Sequence, residues 1–221
     1  MKYKIINKCQ ICNSKLFSFL NLGKQPLCDD LSIKPEDSIF YKLEIKFCKI
    51  CLTAYQKYNI EKKTLFPKEY HYRSANTNDV LLGMKDLVKN VEMIKGNLKN
   101  RIVLDVGCND GSLLDIFKKK GCKTYGIEPT NAFKDAKGKG HTIYNQYFDI
   151  KSSLYLKKNM KDVDIITFTN VFAHIEDFKD SSINMDKHLD IEIVEIGDDF
   201  IVGRMPVIEK TKQPYGILHG G

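Results

Sequence analysis

Residues 101–130 read RIVLDVGCNDGSLLDIFKKKGCKTYGIEPT, and the fold turns on how this stretch is parsed. Ile102 to Val106 are an apolar strand of the kind a parallel sheet buries on both faces. Gly107 to Gly111 form a glycine loop, Ser112 to Lys120 the following helix, and Gly121 a C-terminal glycine. Lys123 to Ile127 make a second strand, and Glu128 stands at its end. Strand, glycine loop, helix and strand are the first half of a nucleotide-binding unit. The glycines let backbone approach a ligand at the helix N-terminus. An acid ending the second strand accepts hydrogen bonds from two ribose hydroxyls. The loop is neither the full G-x-G-x-x-G of dinucleotide enzymes nor a P-loop with its lysine and serine.

The flanking sequence extends the same pattern. Upstream, Val80, Met84, Leu87, Val88, Val91 and Ile94 recur at helical spacing and predict a helix over Asn78 to Lys95. Downstream, Thr142 to Asn145 read as a third strand. Val163 to Thr169 read as a fourth, running into Asn170 to His174. Ligands of open α/β sheets sit at the carboxyl ends of the strands, so Asn170 and His174 fall where a substrate would meet a cofactor. The expected fold class is α/β with a Rossmann-like core. A lone histidine after a strand is also a common structural residue, and the residues alone leave both roles open for His174.

Cys9-Gln-Ile-Cys12 and Cys48-Lys-Ile-Cys51 are two C-x-x-C knuckles. Two residues between cysteines let both thiolates face one ion, and two knuckles supply the four ligands of a closed structural Zn2+ site. Such a site stabilises a small lobe and has no open position for chemistry. Between the knuckles, LFSFLNLGKQPLCDDL reads as a turn-rich segment and FYKLEIKF as a strand. Cys28, Cys108 and Cys122 lack a paired partner and read as buried small apolar residues.

Composition excludes some classes. Of 221 residues, 43% are hydrophobic and 29% charged, which is a globular balance. No run approaches the roughly 18 apolar residues of a membrane span. The N-terminus lacks the apolar stretch of a signal peptide, so a cytoplasmic, reducing setting is expected. The net charge is +7, but residues 182–221 carry seven acidic and four basic side chains, leaving +10 on the rest. A basic body suits nucleic acid or a phosphorylated substrate. Nucleic acid is not expected, because the lysines are scattered and the first 70 residues contain no arginine to interleave with aromatics.

Asp105-x-Gly107-x-x-x-Gly111 with Glu128 resembles the loop of class I methyltransferases that bind S-adenosylmethionine. Five stretches in order widen that likeness: CQIC with LGKQPLCDDL, FCKIC, EYHYRSANT, LDVGCNDGSLL with GIEPT, and TNVFAHIEDF. Together they resemble the sugar C-methyltransferases with an N-terminal zinc domain, over residues 1–180. The resemblance implies a nucleotide-linked keto-deoxysugar substrate. A base removes the proton beside the ketone, and the enolate takes the methyl of S-adenosylmethionine. It implies His174 as the site histidine and Tyr72 as a tyrosine over the active site. It implies Asp105, Gly107, Asn109, Gly111, Glu128 and Asn170 as cofactor contacts. The implied division is a zinc-binding domain at 1–70, an S-adenosylmethionine-binding domain at 71–181, and a separate piece at 182–221.

After Phe178 that likeness stops, and the family's later tyrosine and Glu-His pair have no counterpart. Ile191 to Ile196 and Phe200 to Met205 read as two strands joined at Gly197-Asp198-Asp199, a hairpin signal. An antiparallel hairpin is a poor source of a parallel fifth strand, which needs a crossover. This segment, ending in GILHGG, resembles the opening of hotdog-fold acyl-CoA thioesterases, in which His219 and the glycines would shape the thioester pocket. The carboxylate of that family lies beyond the glycines. The expectation is therefore a junction near residue 182, no thioester hydrolysis by this chain, and weak or absent methyl transfer.

Overall fold

The computed structural model describes residues 3–27, 33–34, 38, 40–160, 163–171 and 174, and the backbone of 192–196 and 201–204. The N-terminal strands are β1 (Tyr3–Ile5), β2 (Leu16–Pro26), β3 (Phe40–Cys48), β4 (Ala54–Gln56) and β5 (Tyr58–Ile60). β2, β3 and β4 form an antiparallel sheet in that order, and β1 pairs with β5. Residues 16–26, expected to be turn-rich, are instead one strand. Its turn residues are absorbed as register shifts between Ser18 and Leu20 and between Asn21 and Lys24. The Asn21 side chain accepts from the Gly23 N–H at 3.0 Å, which satisfies the backbone at the irregular step. Ile6, Cys9, Leu16 and Cys48 make the small core between these sheets.

Next come α1 (Lys62–Leu65), a single 3-10 turn at Ser74–Asn76, and α2 (Asn78–Lys95), which spans the residues its periodicity predicts. The parallel sheet then builds through β6 (Ile102–Val106), α3 (Ser112–Lys119), β7 (Lys123–Ile127), α4 (Phe133–Gly138), β8 (Thr142–Tyr144), α5 (Ile150–Asn159) and β9 (Ile165–Thr167). Its order is β8-β7-β6-β9, with every pair parallel. Val103 faces a core with Met84, Val88, Leu113 and Phe117 from α2 and α3. Leu104 and Val106 face a second core with Ile127, Leu156 and Met160. β6 is thus buried on both faces, as its apolar run requires. Cys108 and Cys122 are buried in the first core as read, while Cys28 lies outside the described residues.

Two strands are shorter than their sequence suggests. β8 stops at Tyr144, because the Asn145 side chain turns to donate to the Glu128 carbonyl at 2.8 Å. β9 covers three residues, because it pairs only with Val103–Asp105 of β6 before β6 gives way to the glycine loop. At its start the Asp164 carboxylate accepts from the Ile102 N–H at 2.7 Å and pairs with Arg101 at 2.9 Å. The C-terminal hairpin is present as β10 (Glu192–Ile196) and β11 (Ile201–Arg204), antiparallel and in a sheet of its own. Its turn, and the GILHGG stretch with His219, lie outside the described residues. Among the described residues no helix is long and apolar enough to cross a membrane.

Candidate functional site

Strand order reverses at β6: β7 and β8 lie to one side and β9 to the other. The crevice at such a switch point is where open α/β sheets bind ligands. Gly107 stands there with φ +73°, and a Cβ on it would run into Val171 Cγ2 from the segment after β9. Only glycine lets these two segments meet so closely. The loop hangs on β7 by backbone bonds, Gly107 N–H and Cys108 N–H both donating to the Ile127 carbonyl at 2.8 and 3.1 Å. Asn109 follows in a left-handed conformation, and its N–H donates to Glu128 Oε2 at 2.9 Å. Glu128 Oε1 accepts from both the Thr130 N–H and its hydroxyl, at 2.9 and 2.6 Å.

A cavity of about 340 Å³ opens over this loop. Asp105, Gly107, Asn109, Glu128, Asn170, Tyr72 and His174 all line it, so seven of the eight sequence-derived pocket residues converge on one space. Gly111 does not. It caps α3 with φ +78°, where a Cβ would sit 2.9 Å from His141 Cδ2. Its place in the motif is a packing requirement. Asn109 is also largely committed to the protein: beside its N–H bond to Glu128, its amide accepts from the Ser74 N–H at 3.0 Å and donates to the Tyr72 carbonyl at 3.2 Å.

The floor of the cavity is acidic. Asp105 is 2% exposed, and its Oδ1 accepts from the Thr167 hydroxyl at 2.7 Å. Burial, opposed by that bond and assisted by the Glu128 charge, pushes its carboxyl up to about 7. Glu128 is 4% exposed. Neither carboxylate has an ion-pair partner among the described residues. Two buried acids that line an open cavity and join no ion pair among the described residues fit a ligand that brings positive charge and hydroxyl donors. S-adenosylmethionine has both, in its sulfonium and amine and in its ribose.

The opposite wall is aromatic. His174 meets Phe66 edge to face at a centroid distance of 5.0 Å, Phe66 meets Tyr70 at 5.9 Å, and Tyr70 meets Tyr72 at 6.5 Å. Partial desolvation there lowers the pKa of His174, although much of its surface stays open. It is therefore neutral at neutral pH, the form a general base needs. Sequence reasoning passed over Thr130, Asn145 and Thr167, which hold Glu128 and Asp105. Their only sequence signal is position just past or within strands that carry an acid.

The four knuckle cysteines converge as expected. The Sγ atoms of Cys9, Cys12, Cys48 and Cys51 lie within 4.8 Å of one another. The pairs Cys9–Cys51, Cys12–Cys48 and Cys12–Cys51 are 3.3, 3.5 and 3.8 Å apart. Zn–S bonds of about 2.3 Å in a tetrahedron put sulfurs about 3.8 Å apart, so the donor set fits zinc. Each knuckle is followed by a left-handed residue, Asn13 or Leu52. One residue later comes a hydroxyl: Ser14 lies 3.2 Å from Cys12 Sγ and Thr53 3.3 Å from Cys51 Sγ. CQICNS and CKICLT are therefore the same device used twice. The Tyr55 hydroxyl lies 3.2 Å from Cys9 Sγ and supports the cluster from outside.

Comparison with known proteins agrees with both halves. Residues 9–66 match the Methyltransf_13 family, "Putative zinc binding domain", and residues 81–187 match the Methyltransf_23 family, "Methyltransferase domain". The chain is thus similar to a putative zinc-binding domain in its N-terminal part and to a methyltransferase domain beyond it, and zinc and S-adenosylmethionine are the groups its two sites fit. The C-methyltransferase NovU of Streptomyces niveus is 23% identical over 128 residues, covering 56% of this chain and 30% of that protein. The 1,4-dihydroxy-2-naphthoyl-CoA hydrolase of Escherichia coli K12 is 55% identical over 38 residues, 17% of this chain and 28% of that protein. This short match is of the kind that GILHGG leads one to expect. The magnesium protoporphyrin IX methyltransferase of Synechocystis PCC 6803 with bound SAM superposes with a TM-score of 0.39 at 21% identity, over 49% of this chain and 54% of that one. The chain thus spans about 30% of the length of the two curated relatives named.

Proposed function

We propose that this chain is an S-adenosylmethionine-dependent C-methyltransferase, or an inactive fragment of one, whose site is built for a nucleotide-linked keto-deoxysugar. The observation that carries the reading is the cavity at the β6/β9 switch point, where the buried Asp105 and Glu128 face His174 and Tyr72 across one space. In this reading Glu128 takes a ribose hydroxyl on the acceptor site of Oε2 that the Asn109 N–H leaves open, the glycine loop supplies close backbone, and Asp105 faces the charged end of the cofactor. When bound, the cofactor supplies an electrophilic methyl group. His174, kept neutral by desolvation, takes the proton from the carbon beside the sugar ketone. Tyr72, further along the same aromatic wall, donates to the developing enolate oxygen. The NovU match motivates the sugar substrate.

The same reading divides the chain into 1–70 for zinc, 71–181 for the cofactor and 182–221 as a thioesterase-like piece, and places it in the reducing cytoplasm. Calorimetric titration with S-adenosylmethionine tests the cofactor site. Binding should be lost in Gly107→Val, whose side chain collides with Val171. Incubation with a nucleotide-linked keto-sugar and labelled cofactor tests the substrate. Label in the sugar that is lost in His174→Ala supports the reading, whereas transfer of label to another acceptor with the keto-sugar left unlabelled would rule the sugar reading out.

A further inference from the structure

The segment Glu69 to Asn76 forms a strap along the cofactor cavity, which Tyr70, Tyr72 and Ser74 line. Two sets of bonds hold it down. On one side Ser74 N–H donates to Asn109 Oδ1 at 3.0 Å and Ala75 N–H to Asp110 Oδ2 at 2.9 Å, tying the strap to the glycine loop. On the other side Arg73 and Asn131 bond the segment to α4 and the turn before it. Arg73 Nε donates to the Asp135 carboxylate at 2.6 Å and Nη2 to Asn131 Oδ1 at 3.2 Å. Its Nη1 donates back to the carbonyls of Tyr70 and Tyr72. The Asn131 amide completes the lock, accepting from Tyr70 N–H at 3.2 Å and donating to Glu69 at 2.8 Å.

We propose that Arg73 is a positioning residue for methyl transfer: its guanidinium fastens the strap along the cofactor cavity, aims Tyr72 inward, and sets how long the cofactor stays. The inference rests on the reading of this cavity as the S-adenosylmethionine site. Three observations carry it. Arg73 is the sole arginine among the first 100 residues of a lysine-rich chain. Its planar fork reaches a carboxylate, an amide oxygen and two carbonyls at once, which an ammonium cannot reproduce. And Tyr72, bonded through its carbonyl to both Arg73 and Asn109, has backbone shared by both anchors. The ion pair itself is a minor part, because the Asp135 side chain is 49% exposed and screened.

The test measures S-adenosylhomocysteine affinity and dissociation rate in the wild type, Arg73→Ala, Arg73→Lys and Asp135→Asn, with chymotrypsin cleavage at Tyr70 and Tyr72 followed in parallel. Arg73→Ala should release ligand about tenfold faster and be cut faster in the strap. Arg73→Lys should resemble it, while Asp135→Asn stays close to wild type. Unchanged zinc content and melting temperature show that folding is intact. Equal dissociation and equal cleavage in Arg73→Ala and wild type would overturn the proposal. So would full rescue by lysine, which reduces the contact to a simple charge pair. A wild type that binds no ligand removes the cofactor reading, and the control of residence time with it. The cleavage comparison then still decides whether Arg73 fastens the strap.

Discussion

The Asn109 N–H donates to the Glu128 carboxylate at 2.9 Å, so the glycine loop after β6 and the acid after β7 are one bonded unit. Glu128 is bonded from its other oxygen by Thr130, so both ends of the carboxylate meet donors. Glu128→Gln puts an amide NH2 against one of those N–H groups and orphans it. The expected cost is about 1–3 kcal/mol of stability, together with weaker cofactor binding. Urea unfolding and calorimetry check the two effects separately, and an unchanged affinity would remove Glu128 from the cofactor contacts.

Asp105 makes the protein sensitive to pH. Its carboxyl is raised from an ordinary 3.8 to about 7, so the folded state binds a proton that the unfolded state gives up. Its stability contribution is full below about pH 4 and is lost as pH rises to about 7. Asp105→Asn removes this dependence. The variant should gain on the wild type between pH 4 and 8, by up to about 4 kcal/mol. A ligand cation in the cavity favours the charged carboxylate. S-adenosylmethionine should therefore bind more tightly as pH rises through 7 and release protons near pH 6.5. Titrations in two buffers of different ionisation heat measure that release, and S-adenosylhomocysteine, lacking the sulfonium charge, should show less of it.

The cysteine cluster sets the stability of the N-terminal strands. Cys9 and Cys48 belong both to the cluster and to the small core with Ile6 and Leu16, so metal and core stand or fall together. Mass spectrometry under native conditions should find one zinc. Strong chelation or Cys48→Ser should unfold β1 to β5, seen as loss of amide protection there, while β6 to β9 stay protected.

His174 separates chemistry from binding. Its lowered pKa keeps it neutral, so the methyl-transfer rate should hold at neutral pH and fall only below the ordinary histidine value of 6.5. His174→Ala should cut the rate by roughly a hundredfold or more, while S-adenosylmethionine affinity changes little. Rate–pH profiles and calorimetry of the variant decide this. Equal losses in binding and rate would assign His174 to the aromatic wall with Phe66 and nothing more.

Much of this was legible in the chain itself. The apolar run Ile102–Val106, the helical spacing over Asn78–Lys95 and the two C-x-x-C pairs are local patterns, and each appears with the expected bounds. Local chemistry decides such features: side-chain periodicity, glycine's access to positive φ, and the short reach of paired thiols. Other features needed the fold. The turn-like residues of 16–26 become a strand because β3 supplies a partner. Gly111, named for the cofactor, is claimed by His141 and Ala136 behind the loop. Asp105 acquires its raised pKa from burial, helped by the Glu128 charge and opposed by the Thr167 hydrogen bond, and all three arise only in the fold. Arg73 reaches Asp135 across 62 positions of sequence. Sequence alone determined the elements and the kinds of group that carry the chemistry. Tertiary structure decided which groups share a cavity and which are spent holding one another, because burial and bonding partners exist only once distant segments have packed.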